Sequence, residues 1–167
     1  MKKLTLILFC LLLTVAGFSQ KAKFGHVDYG TIMQNVPGID TAQAALRDYQ
    51  KELEETGQQM VSEFKEKEAA YAQMANSGAS SAILKVKEDE MTKLYARIQE
   101  FASISEEELQ NKQMELLKPF QEKIIEAIKK VAEAGNYTYV FDITTLAFHA
   151  DSDDLTEAVK KQLGITK

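Results

Sequence analysis

Apolar residues along the middle of the chain recur every seven positions. Leu46, Leu53, Met60 and Met74 share one register position, and Gln50, Gly57, Phe64 and Tyr71 hold the position four further on, with Lys67 interrupting the series. That spacing predicts an imperfect coiled-coil helix, because a 3.5-residue repeat keeps one stripe turned to a partner. The small and polar run Asn76-Ser77-Gly78-Ala79-Ser80-Ser81 breaks it. A second helix is expected from about Ala82, through Leu84, Met91, Leu94, Tyr95, Ile98, Phe101 and Ala102, then Leu109, Leu116, Phe120, Ile124, Ile128 and Val131. So short a break favours an antiparallel hairpin with its tip near residues 76–81. Folding there would bring Met74 near Leu84, Phe64 near Leu94, and Met60 near Ile98. At 1.5 Å per residue the first helix, about 36 residues long, reaches about 54 Å, so residues 41–134 are expected to project as an arm.

Within that arm the only proline is Pro119, where the missing N–H and the clash with the Glu115 carbonyl predict a bend. Gly135 reads as the C-terminal cap, with Lys129 and Lys130 near the negative helix end. Asn136-Tyr137-Thr138 has the spacing of a glycosylation acceptor and is read as a turn. The flanks differ: Phe24–Tyr29 and Tyr137–Asp142 are short, aromatic and β-branched, so they read as strands, and Leu146–His149 as a third. Asp154-Leu155-Thr156-Glu157 announces a last helix through a capping box, ending near Leu163-Gly164. The flanks, residues 20–40 and 135–167, total 54 residues, too few for a stable body on their own. The body is therefore expected to oligomerise through Phe24, Val27, Tyr139, Phe141 and Leu146. The fold class expected is mostly α with a small β body: a long antiparallel coiled-coil hairpin projecting from an oligomerising β-sheet.

The first residues change the setting. Lys2 and Lys3 precede an apolar run from Leu4 to Ala16 and the small stretch Gly17-Phe18-Ser19, the layout of a signal peptide over residues 1–19. A run of this length, thirteen residues, spans about 20 Å as a helix, short of the roughly 30 Å hydrocarbon core. Cys10 lies inside the apolar run, so lipid attachment is disfavoured, and its loss with the leader leaves a cysteine-free chain of 148 residues at net −7. The acidic balance argues against nucleic acid as a partner. No P-loop, dinucleotide fingerprint, nucleophile elbow or HExxH pattern occurs, so no ATP-driven cycle, enzyme activity or cofactor is expected. His26 and His149, with Asp28 or Asp151, are too few for the four ligands of a structural zinc and read more plainly as strand histidines, so no metal is expected. The row Glu106-Glu107-Glu108 points several ways on a helix and reads as a solvated face.

The order of elements, with FGHVDYGTIMQNVPG from Phe24 to Gly38, Gly135-Asn136-Tyr137, Val140-Phe141-Asp142 and Asp154-Leu155-Thr156-Glu157-Ala158-Val159, resembles the OmpH/Skp family of periplasmic chaperones. The resemblance implies a homotrimer whose sheets form a β body and whose arms enclose unfolded outer-membrane proteins. This chain departs from the family in being acidic. Its tip, Lys65 to Lys93, sets five lysines against five acids, which argues against contact with anionic lipid or lipopolysaccharide.

Met60, Phe64, Tyr71, Met74, Met91, Tyr95 and Phe101 are the candidate client-binding residues, although most also suit the hairpin seam. Methionine repacks at little cost and suits surfaces that accept many partners. The function expected is an ATP-independent periplasmic holdase for unfolded outer-membrane proteins. The alternative is a structural coiled-coil adaptor in an envelope complex, for which a 54-residue β portion is small.

Overall fold

The structure, a computed structural model, describes residues 22–165; the expected signal peptide lies outside the described residues. In chain order it comprises β1 (Phe24–Val27), α1 (Tyr29–Asn35), α2 (Ile39–Asn76), α3 (Ser81–Ala134), β2 (Tyr139–Asp142) and α4 (Thr156–Gln162). Two 3-10 turns, Ile143–Thr145 and Asp151–Asp153, lie between β2 and α4.

β1 and β2 pair in parallel, Phe24 against Tyr139 and Val27 against Asp142. Parallel neighbours cannot be joined by a tight turn, and here the crossover between them is the whole helical hairpin. One sheet face carries Gly25, Val27 and Val140 toward the core; the other carries Phe24, Tyr139 and Phe141 outward. The core joins Val27 to Ile32 of α1, Ile124 and Ala127 of α3, and Leu155 and Val159 beside and within α4. Tyr137, Val140 and Leu163 pack against it. Gly25 is required by this packing, because a Cβ there would sit 2.8 Å from a Leu155 methyl carbon.

β1 is shorter than its aromatic pattern predicts, because Asp28 turns the chain into α1. Its Oδ1 accepts from the Thr31 amide at 2.8 Å and its Oδ2 from the Thr31 hydroxyl at 2.6 Å. β2 starts at Tyr139, since Tyr137 is used to close α3. The Tyr137 N–H donates to the Ala132 carbonyl at 2.9 Å and the Asn136 N–H to Glu133 at 3.2 Å, with Asn136 at φ +53°. Asn136 thus takes the left-handed position, while Gly135 makes room for the Tyr137 ring, which lies 2.5 Å from where its Cβ would be. The cation at this helix end is Lys23, not Lys129 or Lys130: its Nζ donates to the Gly135 carbonyl at 3.0 Å and lies 3.9 Å from the Tyr137 ring centre.

The third strand expected over Leu146–His149 does not form. That segment is irregular, and the free edge of β1 is met instead by a single bridge between His26 and Asp154, with the Leu155 N–H donating to the His26 carbonyl at 2.8 Å. The Asp154 carboxylate accepts from the Thr156 amide at 2.8 Å, but the residue at the N-cap of α4 is Leu155, which makes no side-chain cap bond, rather than the expected Asp154, and Glu157 lies 2.8 Å from Lys160. α3 runs unbroken through Pro119 for 54 residues. At the far end, α2 closes with the Ala79 N–H on Met74 at 3.1 Å around Gly78 at φ +78°, and Ser80 Oγ caps α3 at Ile83.

Asp28→Ala is expected to lower stability by about 1 kcal/mol. Hydrogen bonds from the Thr31 hydroxyl and amide hold the Asp28 carboxyl below the ordinary carboxylate range. A depressed carboxylate contributes stability that is complete above its unfolded value and disappears as pH falls through the folded one. Urea midpoints measured from pH 7 down to about pH 2.5 should therefore converge for wild type and the alanine variant at the acid end.

Candidate functional site

Two surfaces are candidates: the helical hairpin and the outer sheet face of the base. Along the hairpin, α2 and α3 meet in the register that the heptads predict. Phe64 and Tyr95 rings stand 6.0 Å apart, Met60 and Ile98 line one groove, and Leu94 is buried midway along the hairpin, at 4% exposure. Met60, Phe64, Tyr71, Met74, Met91 and Phe101 are half-buried along this seam, and Tyr95 is 55% exposed. Two helices alone do not enclose such side chains, so each keeps part of its surface in water.

Lys67 fills a seam position where the repeat calls for an apolar residue. Its Nζ lies 3.6 Å from Glu63 on α2 and 3.9 Å from Glu90 on α3. Glu90 also accepts from Lys87 at 3.0 Å, and that hydrogen bond holds its carboxyl below the ordinary range despite some desolvation. Tyr49 donates across the hairpin to Glu108 at 3.2 Å. These polar links replace apolar burial with solvated pairs of small individual worth.

The hairpin also exposes aliphatic residues that the candidate set omits: Val61, Ile83, Val86, Ile104, Met114 and Ile125. Their signal was in the register. Ile83, Ile104 and Ile125 recur at multiples of seven, one register position beside the seam, so they share a flank of α3 without meeting α2.

At the base, the outer sheet face is an aromatic patch. Phe24 stacks on Tyr139 at 5.8 Å and on Phe141 at 6.3 Å, and Tyr139 on Phe141 at 6.2 Å. All three are exposed, as is Phe148 at 85%. Leu146 is half-buried beside Phe148, in a recess that also holds His149. Val27 does not belong to this face: at 2% exposure it points into the core, because strand residues alternate sides and it follows His26. The assembly residue expected at 27 is corrected accordingly.

His26 and His149 do come together, with ring centres 4.6 Å apart and His149 Nδ1 buried without a hydrogen-bond partner. Asp28 is turned to Thr31, and Asp154 is a carboxylate that both rings act on electrostatically. Burial opposes ionisation of Asp154, but the Thr156 hydrogen bonds and the two histidines together hold its carboxyl below the ordinary value. Among the described residues no three His, Cys, Asp or Glu side chains gather as metal ligands, and no helix is long and apolar enough to cross a membrane.

Residues 23–163 match the family described as outer membrane protein (OmpH-like). Among solved structures, the chain is similar to a candidate outer membrane chaperone (OmpH-like) from Caulobacter crescentus. The TM-score is 0.72 at 11% identity, over 87% of this chain and 86% of that one. No curated protein matches the sequence.

Leu94→Ala is expected to cost about 2–4 kcal/mol, because the cavity it leaves cannot be filled by a two-helix seam. Lys67→Leu should raise stability by up to about 1 kcal/mol by restoring the apolar repeat. Hydrogen exchange reads both: residues 53–104 should exchange faster than 139–142 in the native chain, the gap widening in the first variant and narrowing in the second.

Proposed function

Because the chain belongs to the OmpH-like family, we propose that it is an ATP-independent holdase of the periplasm, exported by residues 1–19, that keeps unfolded outer-membrane proteins from aggregating. The observation that carries this reading is a long hairpin whose apolar residues are numerous, adaptable and only half covered. A surface of that kind offers many weak contacts and no fixed recognition geometry, which suits a client without structure. Weak contacts also allow release without nucleotide, once the client finds better burial in a membrane. No catalytic role is assigned to any residue.

The aromatic patch of Phe24, Tyr139 and Phe141 supports self-assembly, since three stacked rings on an open sheet face resemble half of an interface more than a surface made for water. We assign residues 20–40 and 135–167 to an oligomerising body, residues 41–134 to the arm, and a trimer to the assembly. At net −7 per exported chain a trimer carries about −21, so acidic clients are repelled at distances beyond the roughly 8–10 Å screening length. Capture then rests on apolar contact, with Tyr95, Ile83, Ile104 and Ile125 joining the half-covered seam residues. The near-neutral tip gives no reason to assign it a lipid or lipopolysaccharide role.

Light scattering of a diluted, unfolded β-barrel protein tests the holdase reading, and failure to suppress aggregation at equimolar trimer would refute it. Raising salt from about 50 to 500 mM should leave affinity for an acidic client unchanged or improved, whereas a steep fall would show that charge attraction dominates. Replacing Phe24, Tyr139 and Phe141 together by Ser should yield a folded monomer in sedimentation. Val27→Ser should instead unfold the base, costing about 2–4 kcal/mol.

A further inference from the structure

The aromatic outer face of the sheet begins where the chain enters the base. Lys23, the residue before β1, is held at three atoms: its N–H donates to Thr138 Oγ1 at 3.3 Å, its carbonyl accepts from the Thr138 N–H at 2.7 Å, and its ammonium donates to the Gly135 carbonyl at 3.0 Å. The next residue, Phe24, is the first ring of the patch, 51% exposed and stacked on Tyr139 and Phe141. The chain therefore arrives at a fixed point on the rim of its own aromatic face. Six residues, Gly17 to Ala22, join that point to the apolar run Leu4–Ala16. Extended, they reach about 20 Å, twice the roughly 10 Å between a sheet and a layer packed on it.

Size and chemistry agree with that reach. Two paired strands of four residues present a face of about 13 Å by 10 Å, and a thirteen-residue helix is about 20 Å long and 10 Å across. Apart from Thr5 and Thr14 the run is wholly apolar, so whichever side turns to the sheet meets the rings with leucine, isoleucine, phenylalanine or valine. The only charged side chains of residues 1–19 are Lys2 and Lys3, while Asp153 lines the recess beside Phe24, Phe141 and Phe148. A tether this short holds the run at an effective concentration of about 1 mM, far above the micromolar range in which a second copy competes for the same face.

We propose that in the unprocessed chain the run Leu4–Ala16 lies on the face of Phe24, Tyr139 and Phe141 and blocks self-association, so that removal of residues 1–19 bares the face and starts assembly. This rests on two readings made above, of residues 1–19 as a removed leader and of the aromatic patch as the self-assembly surface. Leader and second copy compete for the same rings, and the leader prevails only while it is attached. With an intrinsic Kd of about 0.1 mM at about 1 mM effective concentration, it occupies the face about ten times in eleven and weakens association about tenfold.

The test compares the full-length chain, made by cell-free synthesis, with the chain lacking residues 1–19. Each carries photoreactive benzoylphenylalanine at position 141 and is an equal mixture of normal and heavy-nitrogen protein, so crosslinks within and between chains differ in mass. The full-length chain should crosslink position 141 to residues 4–16 of the same chain, and in sedimentation it should associate about tenfold or more weakly than the processed chain. Full-length chain with Leu6→Asp, Leu8→Asp and Phe9→Asp, which places a charge on three sides of the run and leaves the base untouched, should lose that crosslink and associate like the processed chain. Full-length chain that associates as strongly as processed chain, crosslinks running from position 141 to another chain's leader, or a block unchanged by the three aspartates would each overturn the leader contact. A processed chain that stays monomeric would overturn the start of assembly and the self-assembly reading together, whereas a processed chain that assembles beside an equally assembled precursor overturns the leader contact alone.

Discussion

The parallel pairing of β1 with β2 is the constraint on which the remaining architecture depends. Two four-residue strands separated by more than a hundred residues lie side by side in register, so the chain between them must leave the base and return to it. An antiparallel hairpin does this with both of its ends anchored within one small core. Ile32, Ile124 and Val159, from three different helices, are completely covered there. The sheet itself is too small to be stable alone; it persists because its inner face is sealed by those helices, and its outer face is left as a patch of aromatic rings.

Away from that core the packing relaxes by design of the sequence. Gly57, Lys67 and Ser105 each occupy a seam position where a larger apolar residue would close the two helices more tightly. Their effect is graded: Lys67 substitutes ion pairs for burial, Gly57 leaves space, and Ser105 leaves an unused hydroxyl. A binding surface and a tight coiled coil compete for the same side chains, because a residue wholly buried against its partner helix has nothing to offer a client. The half-exposure of Met60, Phe64, Met74 and Met91 is a compromise between the two.

Long-range periodic signals were legible in the sequence, and local ones less so. Seven-residue recurrence located the first arm helix and its register, and the small and polar run around Gly78 marked the turn, because both signals extend over many neighbouring residues. The ends of the strands are not legible where one side chain has two possible uses: Asp28 as strand residue or helix cap, Tyr137 as strand residue or the closing position of α3. Leu146–His149 looks like a strand by composition, yet the edge it would occupy is met by Asp154, a tertiary choice that composition does not carry. Val27 shows the same limit on the functional side. Alternation along β1 placed it opposite Phe24, but which face would be buried depended on helices distant in sequence. Local spacing points to Lys129 and Lys130 as the cations beside Gly135, while Lys23, more than a hundred residues away, supplies the charge.

The same strand pairing has a consequence for the order in which the molecule can form. β1 is near the front of the chain and its partner is near the end, so for most of its emergence into any compartment β1 has no strand to join. The hairpin, made of contacts local to each turn and zipped from the Gly78 loop, can assemble early and fast, whereas closure of the base must wait for the last thirty or so residues. A chain halted before Tyr139 would thus display a finished arm on an open foundation, with the Phe24 strand edge unpaired. Such a species has the unguarded edge and apolar surface that lead to aggregation. Early arm formation brings the ends of α2 and α3 together, shortening the loop that strand closure must still span.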